Sequence, residues 1–162
     1  MVQITLIFKI IIILFFFIFP YFFKEQLVYG EAKIIDGDTI HINYNKIRLH
    51  GIDAPEANQK CIFKNKEWEC GKDSTNALKK MINNHIVKCL INGVDRYKRY
   101  IAVCFSNKIN LNKMMVKSGW AIAYRYYSKN YADEEFIAKR KKVGIWKGEF
   151  LEPYLYRKSQ QK

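Results

Sequence analysis

The stretch Lys33–Glu56 constrains this chain more than any other. It reads K-I-I-D-G-D-T-I-H-I, then a short loop, then I-R-L-H-G-I-D-A-P-E. Apolar, β-branched runs on either side of Asp36-Gly37-Asp38 make that tripeptide the tight connection of a hairpin. A second strand carries Arg48 and ends in the turn Asp53-Ala54-Pro55-Glu56. Asp38, Asp53, Glu56 and Arg48 therefore gather at strand ends, where a rigid scaffold presents its functional groups. Taken singly, Asp-Gly and Asp-Ala-Pro-Glu are ordinary turn chemistry. An EF-hand is excluded because the remaining ligand positions of that loop are missing.

Taken together, the order D-G-D-T, R-L, D-x-P-E resembles the thermonuclease (staphylococcal nuclease-like) family. The resemblance runs from about Ala32 to Trp146. It implies an α+β chain: an OB-fold, a five-stranded β-barrel with about three helices, whose face and loops bind oligonucleotides. It also implies that Asp38, Asp53 and the Ala54 carbonyl hold Ca²⁺, that Glu56 is the general base, and that Arg48 is the first phosphate clamp. The chemistry is consistent, since Ca²⁺ takes hard oxygen ligands and leaves places for water and substrate. With two carboxylates the ion is formally neutralised, so the charge of a phosphodiester needs a guanidinium fork. The family commonly has Thr where Ala54 stands, a change of little consequence for a backbone ligand. Further on, Asp95-Arg96-Tyr97-Lys98-Arg99 aligns with the family's D-x-Y-G-R, making Arg99 the second clamp. Lys98 replaces the usual glycine, and a positive φ there would cost about 1 kcal/mol or more. Tyr97 can stack on a base or sugar, or simply pack.

The 162 residues suffice for one domain, and an apolar share of 49% provides for a core. Net charge is +13, of which the first thirty residues carry only +1. The remainder is as basic as nucleic-acid-binding domains tend to be, although a Lys-, Ile- and Asn-rich composition gives the same number without a function. Residues 4–23 are almost wholly apolar, and Ile10–Phe19 fits a signal-peptide core behind Lys9. Residues 1–30 are thus expected to be a signal peptide, with Val28-Tyr29-Gly30 as a cleavage point, or a retained membrane anchor. Either one exports the domain at 31–156.

Export suits the four cysteines, whose spacing is not that of a zinc ribbon. Cys89 and Cys104 lie equidistant from a turn near Asp95-Arg96, between strands Val87–Ile91 and Tyr100–Phe105, so they can face each other across the ladder. Cys61 and Cys70 would close a short loop just after the acidic turn. Four free buried thiols are the other reading, less suited to an exported protein. Helices are expected at Lys72–Asn84, capped by Asp73 or Ser74, at Asn110–Ser118, capped by Asn110, and at Tyr131–Val143. Trp120–Tyr127 reads as an aromatic strand in which Tyr124, Tyr126 and Tyr127 form a base-stacking wall or a piece of core. The basic end of the third helix, Lys139–Lys142, either touches phosphate or is solvated. Residues 157–162 read as a loose polar tail.

The resulting expectation is a secreted or membrane-tethered, monomeric Ca²⁺-dependent nuclease, an endonuclease acting on DNA and RNA and leaving 3′-phosphate ends. His41, His50 and His85 show no ligand or nucleophile spacing, which disfavours a histidine mechanism. The alternative is a non-catalytic OB module that binds single strands. That reading predicts decay of the acid cluster, whereas all three acids and both arginines are present; only Lys98 favours it.

Overall fold

In I-H-I and I-R-L, every second side chain must turn inward if the segments are strands with one buried face. Ile40, Ile42, Ile47 and Leu49 do so, each at most 1% exposed. Each contributes on the order of 1.5–3 kcal/mol of burial. A computed structural model describes residues 26–161. Strands β1 (Leu27–Gly30) and β2 (Ala32–Ile34) are separated by Glu31 alone, and act as one bent strand. β2 pairs with β3 (Thr39–Ile42), β3 with β4 (Asn45–Leu49), and β4 runs parallel to β9 (Tyr100–Ser106). β9 pairs antiparallel with β8 (Val87–Val94), and β8 returns to β1, so the sheet closes on its first strand. Counting β1 with β2 as one, this is a five-stranded barrel, the OB architecture expected from the sequence.

Short pairings brace the barrel. β5 (Ile52–Asp53) pairs with β11 (Ile122–Ala123), β6 (Cys61–Phe63) with β7 (Lys66–Trp68), and β10 (Ile109–Asn110) with the end of β9. Among the described residues there are four α-helices: α1 (Cys70–Ile82), α2 (Leu111–Lys117), α3 (Ala132–Lys141) and α4 (Pro153–Ser159). A 3₁₀ turn spans Gly144–Lys147. Leu78 and Ile82 of α1 and Leu111, Met115 and Val116 of α2 join the barrel interior in the main core. A smaller cluster of Cys61, Cys70, Ile122 and Ile145 is covered by Trp68, Trp120, Trp146 and Phe150. The disulfides are Cys61–Cys70 and Cys89–Cys104, the latter between directly opposed residues of β8 and β9.

Several expectations need correction. Leu27–Gly30, assigned to the N-terminal segment, is barrel strand, so a cut at Gly30 would remove half of the closing strand. The signal or anchor expected before it falls outside the described residues, and no described helix is long and apolar enough to cross a membrane. Helix α1 starts at Cys70 without a side-chain cap. Asp73 and Ser74 lie inside it, and the Ser74 hydroxyl donates to the Trp120 carbonyl at 2.7 Å. Of Trp120–Tyr127, only Ile122–Ala123 is strand; the chain then turns, with the Tyr127 N–H donating to the Tyr124 carbonyl at 3.1 Å. Beyond Ala123 the Tyr124 N–H still reaches the Gly51 carbonyl at 2.9 Å, but the Arg125 N–H then turns back to the Ala123 carbonyl at 3.0 Å, and the tyrosines project from a loop. The supposed loose tail 157–162 begins inside helix α4, whose last residues are Arg157–Ser159 and which starts at Pro153, a residue suited to a first helical turn.

Candidate active site

Asp38 stands at the entry to β3, and Asp36 sets its backbone by accepting its N–H at 2.9 Å. The turn is pressed against its neighbours: a Cβ on Gly37 would lie 2.0 Å from the Ser74 hydroxyl and 2.7 Å from the Ala54 side chain. Only glycine permits this approach, which lets Asp38 Oδ2 accept the Ala54 N–H at 2.7 Å. Arg48, facing outward from β4, donates to Asp38 Oδ1 and, at 2.6 Å, to Asp53 Oδ1 at the end of β5. Asp53 is held in register by its opposite residue Ile122 on β11. Behind β11, the buried Glu135 accepts the Ala123 N–H at 3.1 Å and is itself paired with Arg125 and Lys139.

Glu56, half-buried, follows on the next turn. Its N–H donates to the Gln59 side chain at 3.2 Å, and Gln59 in turn donates to the Leu151 carbonyl at 2.7 Å. Helix α1 abuts this turn so closely that a Cβ on Gly71 would lie 1.7 Å from the Glu56 carbonyl oxygen. The Cys61–Cys70 disulfide joins the strand after this turn to the first residue of the helix. From α4, Arg157 Nη1 lies 2.9 Å from both Asp53 Oδ1 and Glu56 Oε1, and Nη2 lies 3.2 Å from Asp53 Oδ2. The sequence reading missed Arg157. Its one signal was Pro153 starting a turn in E-P-Y-L-Y-R-K.

Burial dominates the electrostatics. It pushes the Asp38 carboxyl up to about 6 against the opposing pull of Arg48. Burial and then the nearby Asp38 raise Asp53, countered by Arg48 and Arg157. Both guanidinium groups are desolvated, yet their carboxylate partners keep them firmly protonated. Two buried carboxylates drawn onto one cation fit a hard divalent ion, whose charge would relieve their repulsion. Among the described residues no three Asp, Glu, His or Cys side chains form a metal-binding group. The donor set implied here has only two side chains, with the Ala54 carbonyl as the third ligand.

The remaining expected residues lie apart from this cluster. Arg99 is tied to Asp95, with Nε 2.8 Å from Oδ2, and makes no ion pair with Asp38, Asp53 or Glu56. Burial would raise the Asp95 carboxyl, but the backbone and guanidinium bonds from Arg99 hold it below its ordinary value. Tyr97, on the same turn, is 59% exposed with the Arg96 guanidinium 4.8 Å above its ring. Lys98 has φ 61°, so the left-handed conformation is real. Tyr124 is nearer to the acids: burial and the charge of Asp53 raise its phenol. Its ring meets Tyr127 at 5.1 Å, Tyr126 at 6.4 Å and Tyr154 of α4 at 6.5 Å.

These features define an OB-fold domain with an acid and arginine site on one rim, suited to a divalent cation and a phosphate. Residues 46–148 match the family model described as staphylococcal nuclease homologue. The chain is 33% identical over 126 residues to the succinoglycan biosynthesis protein ExoI of Rhizobium meliloti, covering 75% of this chain and 66% of that one. It is 34% identical over 130 residues to an uncharacterized endonuclease of Haemophilus influenzae, with 76% and 68% covered. With the micrococcal nuclease of Shigella flexneri it shares 31% identity over 149 residues, 80% of each chain. The chain belongs to the staphylococcal nuclease homologue family.

Proposed function

We propose that this chain, a nuclease by family, is a Ca²⁺-dependent enzyme that hydrolyses phosphodiester bonds of DNA and RNA to leave 3′-phosphate ends. The observation that carries the reading is the convergence of Asp38 and Asp53 on one guanidinium, with Glu56 at their edge. Asp38, Asp53 and the Ala54 carbonyl are the residues that would hold Ca²⁺, which supplies fixed positive charge against the phosphate oxygens. Glu56 takes a proton from the attacking water. The new P–O bond forms in line as the bond to the 5′-oxygen breaks, and that oxygen leaves with a proton from solvent. Arg48 meets the charge that builds on the non-bridging oxygens. Arg99 would serve as the second clamp after exchanging part of its bond to Asp95 for phosphate, and Tyr97, Tyr124 and Tyr127 would stack on bases.

Export is supported by the apolar N-terminal segment and by two disulfides, which persist in oxidising compartments. The enzyme acts as a monomer, secreted or held by a membrane tether at its N-terminus. The test incubates the oxidised full chain with plasmid and with RNA, in Ca²⁺ or in chelator, and analyses the product ends. Cleavage confined to Ca²⁺ and abolished by Glu56→Gln supports the mechanism. Binding without cleavage would instead identify a single-strand-binding module.

A further inference from the structure

The fork of Arg157 lies where a phosphodiester must pass. The reacting phosphate has to sit within reach of Glu56, and the guanidinium nearest Glu56 is that of Arg157, not Arg48 or Arg99. Arg48 is bonded to Asp38 and Asp53 with only 12% of its side chain exposed, whereas Arg157 is 30% exposed. Arg99 is occupied by Asp95 on another turn. The delivery of Arg157 is built into the fold. The Ile62 and Glu149 backbones exchange hydrogen bonds at 2.8 Å, Gln59 binds the Leu151 carbonyl, Pro153 is buried, and Tyr154 lies against Tyr124. The segment 149–157 is therefore strapped across the acidic rim at four points before Arg157 enters it.

We propose that Arg157 is a substrate-binding residue: a phosphate clamp supplied by the C-terminal helix, parked on Asp53 and Glu56 until a divalent cation and a phosphodiester take its place. The inference rests on the nuclease reading above. Its logic is charge exchange. Asp53 cannot give the same oxygens fully to a dication and to Arg157, so metal entry frees one side of the fork. The freed N–H groups face the space beside Glu56, where the phosphate oxygens are the strongest available acceptors. A charge-assisted hydrogen bond of this kind is worth roughly tenfold in affinity or more.

The test uses full-chain Glu56→Gln, which prevents turnover, alone and combined with Arg157→Gln or Arg157→Lys. Fluorescence anisotropy measures binding of a short single-stranded oligodeoxynucleotide in saturating Ca²⁺ across a salt series, and calorimetry measures Ca²⁺ binding without oligonucleotide. Arg157→Gln is expected to weaken oligonucleotide binding about tenfold and to make the salt slope shallower by about 0.7. Ca²⁺ should bind the same variant more tightly, because a competing cation has gone, and Arg157→Lys should restore part of the oligonucleotide affinity. Tighter Ca²⁺ binding with unchanged oligonucleotide affinity would mean that Arg157 only blocks the empty site, and would overturn the proposal. A loss of oligonucleotide affinity that Lys does not relieve and that leaves the salt slope unchanged would mean a structural role, and would also overturn it. If the parent protein shows no Ca²⁺-dependent binding, the nuclease reading falls and this inference falls with it. Binding by the parent with no change in the variants sinks this inference alone.

Discussion

Arg48 and Arg99 are expected to do similar work, yet the molecule holds them in opposite ways. Arg48 lies in a cluster gathered from β3, β4, β5 and α4, among carboxylates that are 1% exposed or less. Arg99 is held by Asp95, four residues away on its own hairpin, in a half-buried pair that still reaches solvent, 27% and 17% exposed. Each region also has its own disulfide: Cys61–Cys70 beside Glu56, and Cys89–Cys104 in the ladder leading to the Arg99 turn. The difference separates two costs. In the acidic cluster a lost charge leaves other charges buried without partners, so function and stability should fail together. On the hairpin, water replaces a lost partner, so function should fail with little loss of stability.

The largest expected effect tests that split. Arg48→Gln and Arg99→Gln should each lower kcat by about 10²–10³, the usual cost of removing a group that meets transition-state charge. Arg48→Gln should also lose stability, by about 3–5 kcal/mol in chelator, because Asp38 and Asp53 remain buried, whereas Arg99→Gln should lose only about 1 kcal/mol or less with its pair to Asp95. Denaturant melts beside the rates decide it. An Arg48 variant as stable as wild type would show that its carboxylates are relieved by some other means, and the contrast would collapse.

The disulfides sharpen the comparison. Sequence separations of 9 and 15 residues close loops worth about 3 kcal/mol each in the chain-entropy model, or about 10 °C in Tm. The two losses should look alike in a melt and differ in the rate. Cys61→Ala/Cys70→Ala frees the start of α1 beside the Glu56 carbonyl and should lower kcat at temperatures where the fold survives. Cys89→Ala/Cys104→Ala should leave kcat within about twofold at such temperatures, since β8 and β9 stay paired over seven positions. Equal rate losses would mean that the Glu56 turn does not depend on its staple.

The pH dependence of the metal-free protein should carry opposite signs in the two regions. Asp38 titrates at about 6 in the fold, above its ordinary 3.8, so its charged form is the disfavoured one. In chelator, stability should rise as pH falls from about 6 and level off below about 4, and Asp38→Asn should flatten that limb. Asp95 is held below 3.8, so its contribution is full above that value and is lost as pH falls through its folded pKa. Asp95→Asn should remove that acid limb. Melts between pH 3 and 7 separate the two, and a stability that falls steadily with acid in both variants would contradict the assignment.

The acidic rim was legible in the sequence because its residues lie within nineteen positions, at the ends of strands whose alternation can be counted. The barrel was legible for the same reason, and the opposed cysteines followed from symmetry about one turn. Arg157 was not, because it stands 104 residues from Asp53 and reaches it only through the strap at 149–154. Polar composition and nearness to the terminus argued for a loose end. Glu135 was hidden too: on a helix surface an acid looks solvated until β11 is known to offer it the Ala123 N–H. The start of α1 moved because Cys70 and Gly71 are fixed by a disulfide and by a close approach to Glu56, tertiary constraints that override capping preference.

The smallest expected effect concerns Lys98, the departure from the family's pattern. Its φ of 61° is left-handed, which costs a side-chain-bearing residue roughly 1–2 kcal/mol. Drift of the turn could relieve such strain, but the turn is closed on all sides. Asp95 Oδ1 accepts the Tyr97 and Arg99 N–H groups at 2.9 Å, the Asp95 N–H donates to the Arg99 carbonyl at 2.9 Å, and the Lys98 N–H donates to the Asp95 carbonyl at 3.0 Å. Strain is thus borne in place, and the backbone of Arg99 is where a glycine would leave it. Lys98→Gly should remove the strain and return part of the gain as unfolded-chain entropy, leaving about 0.5–1 kcal/mol of stabilisation. A rise in Tm of a few degrees with kcat within about twofold is the expected result. A lower Tm would show that the Lys98 side chain makes a stabilising contact worth more than the strain, and a tenfold rise in kcat would show that the turn does drift and carries Arg99 with it.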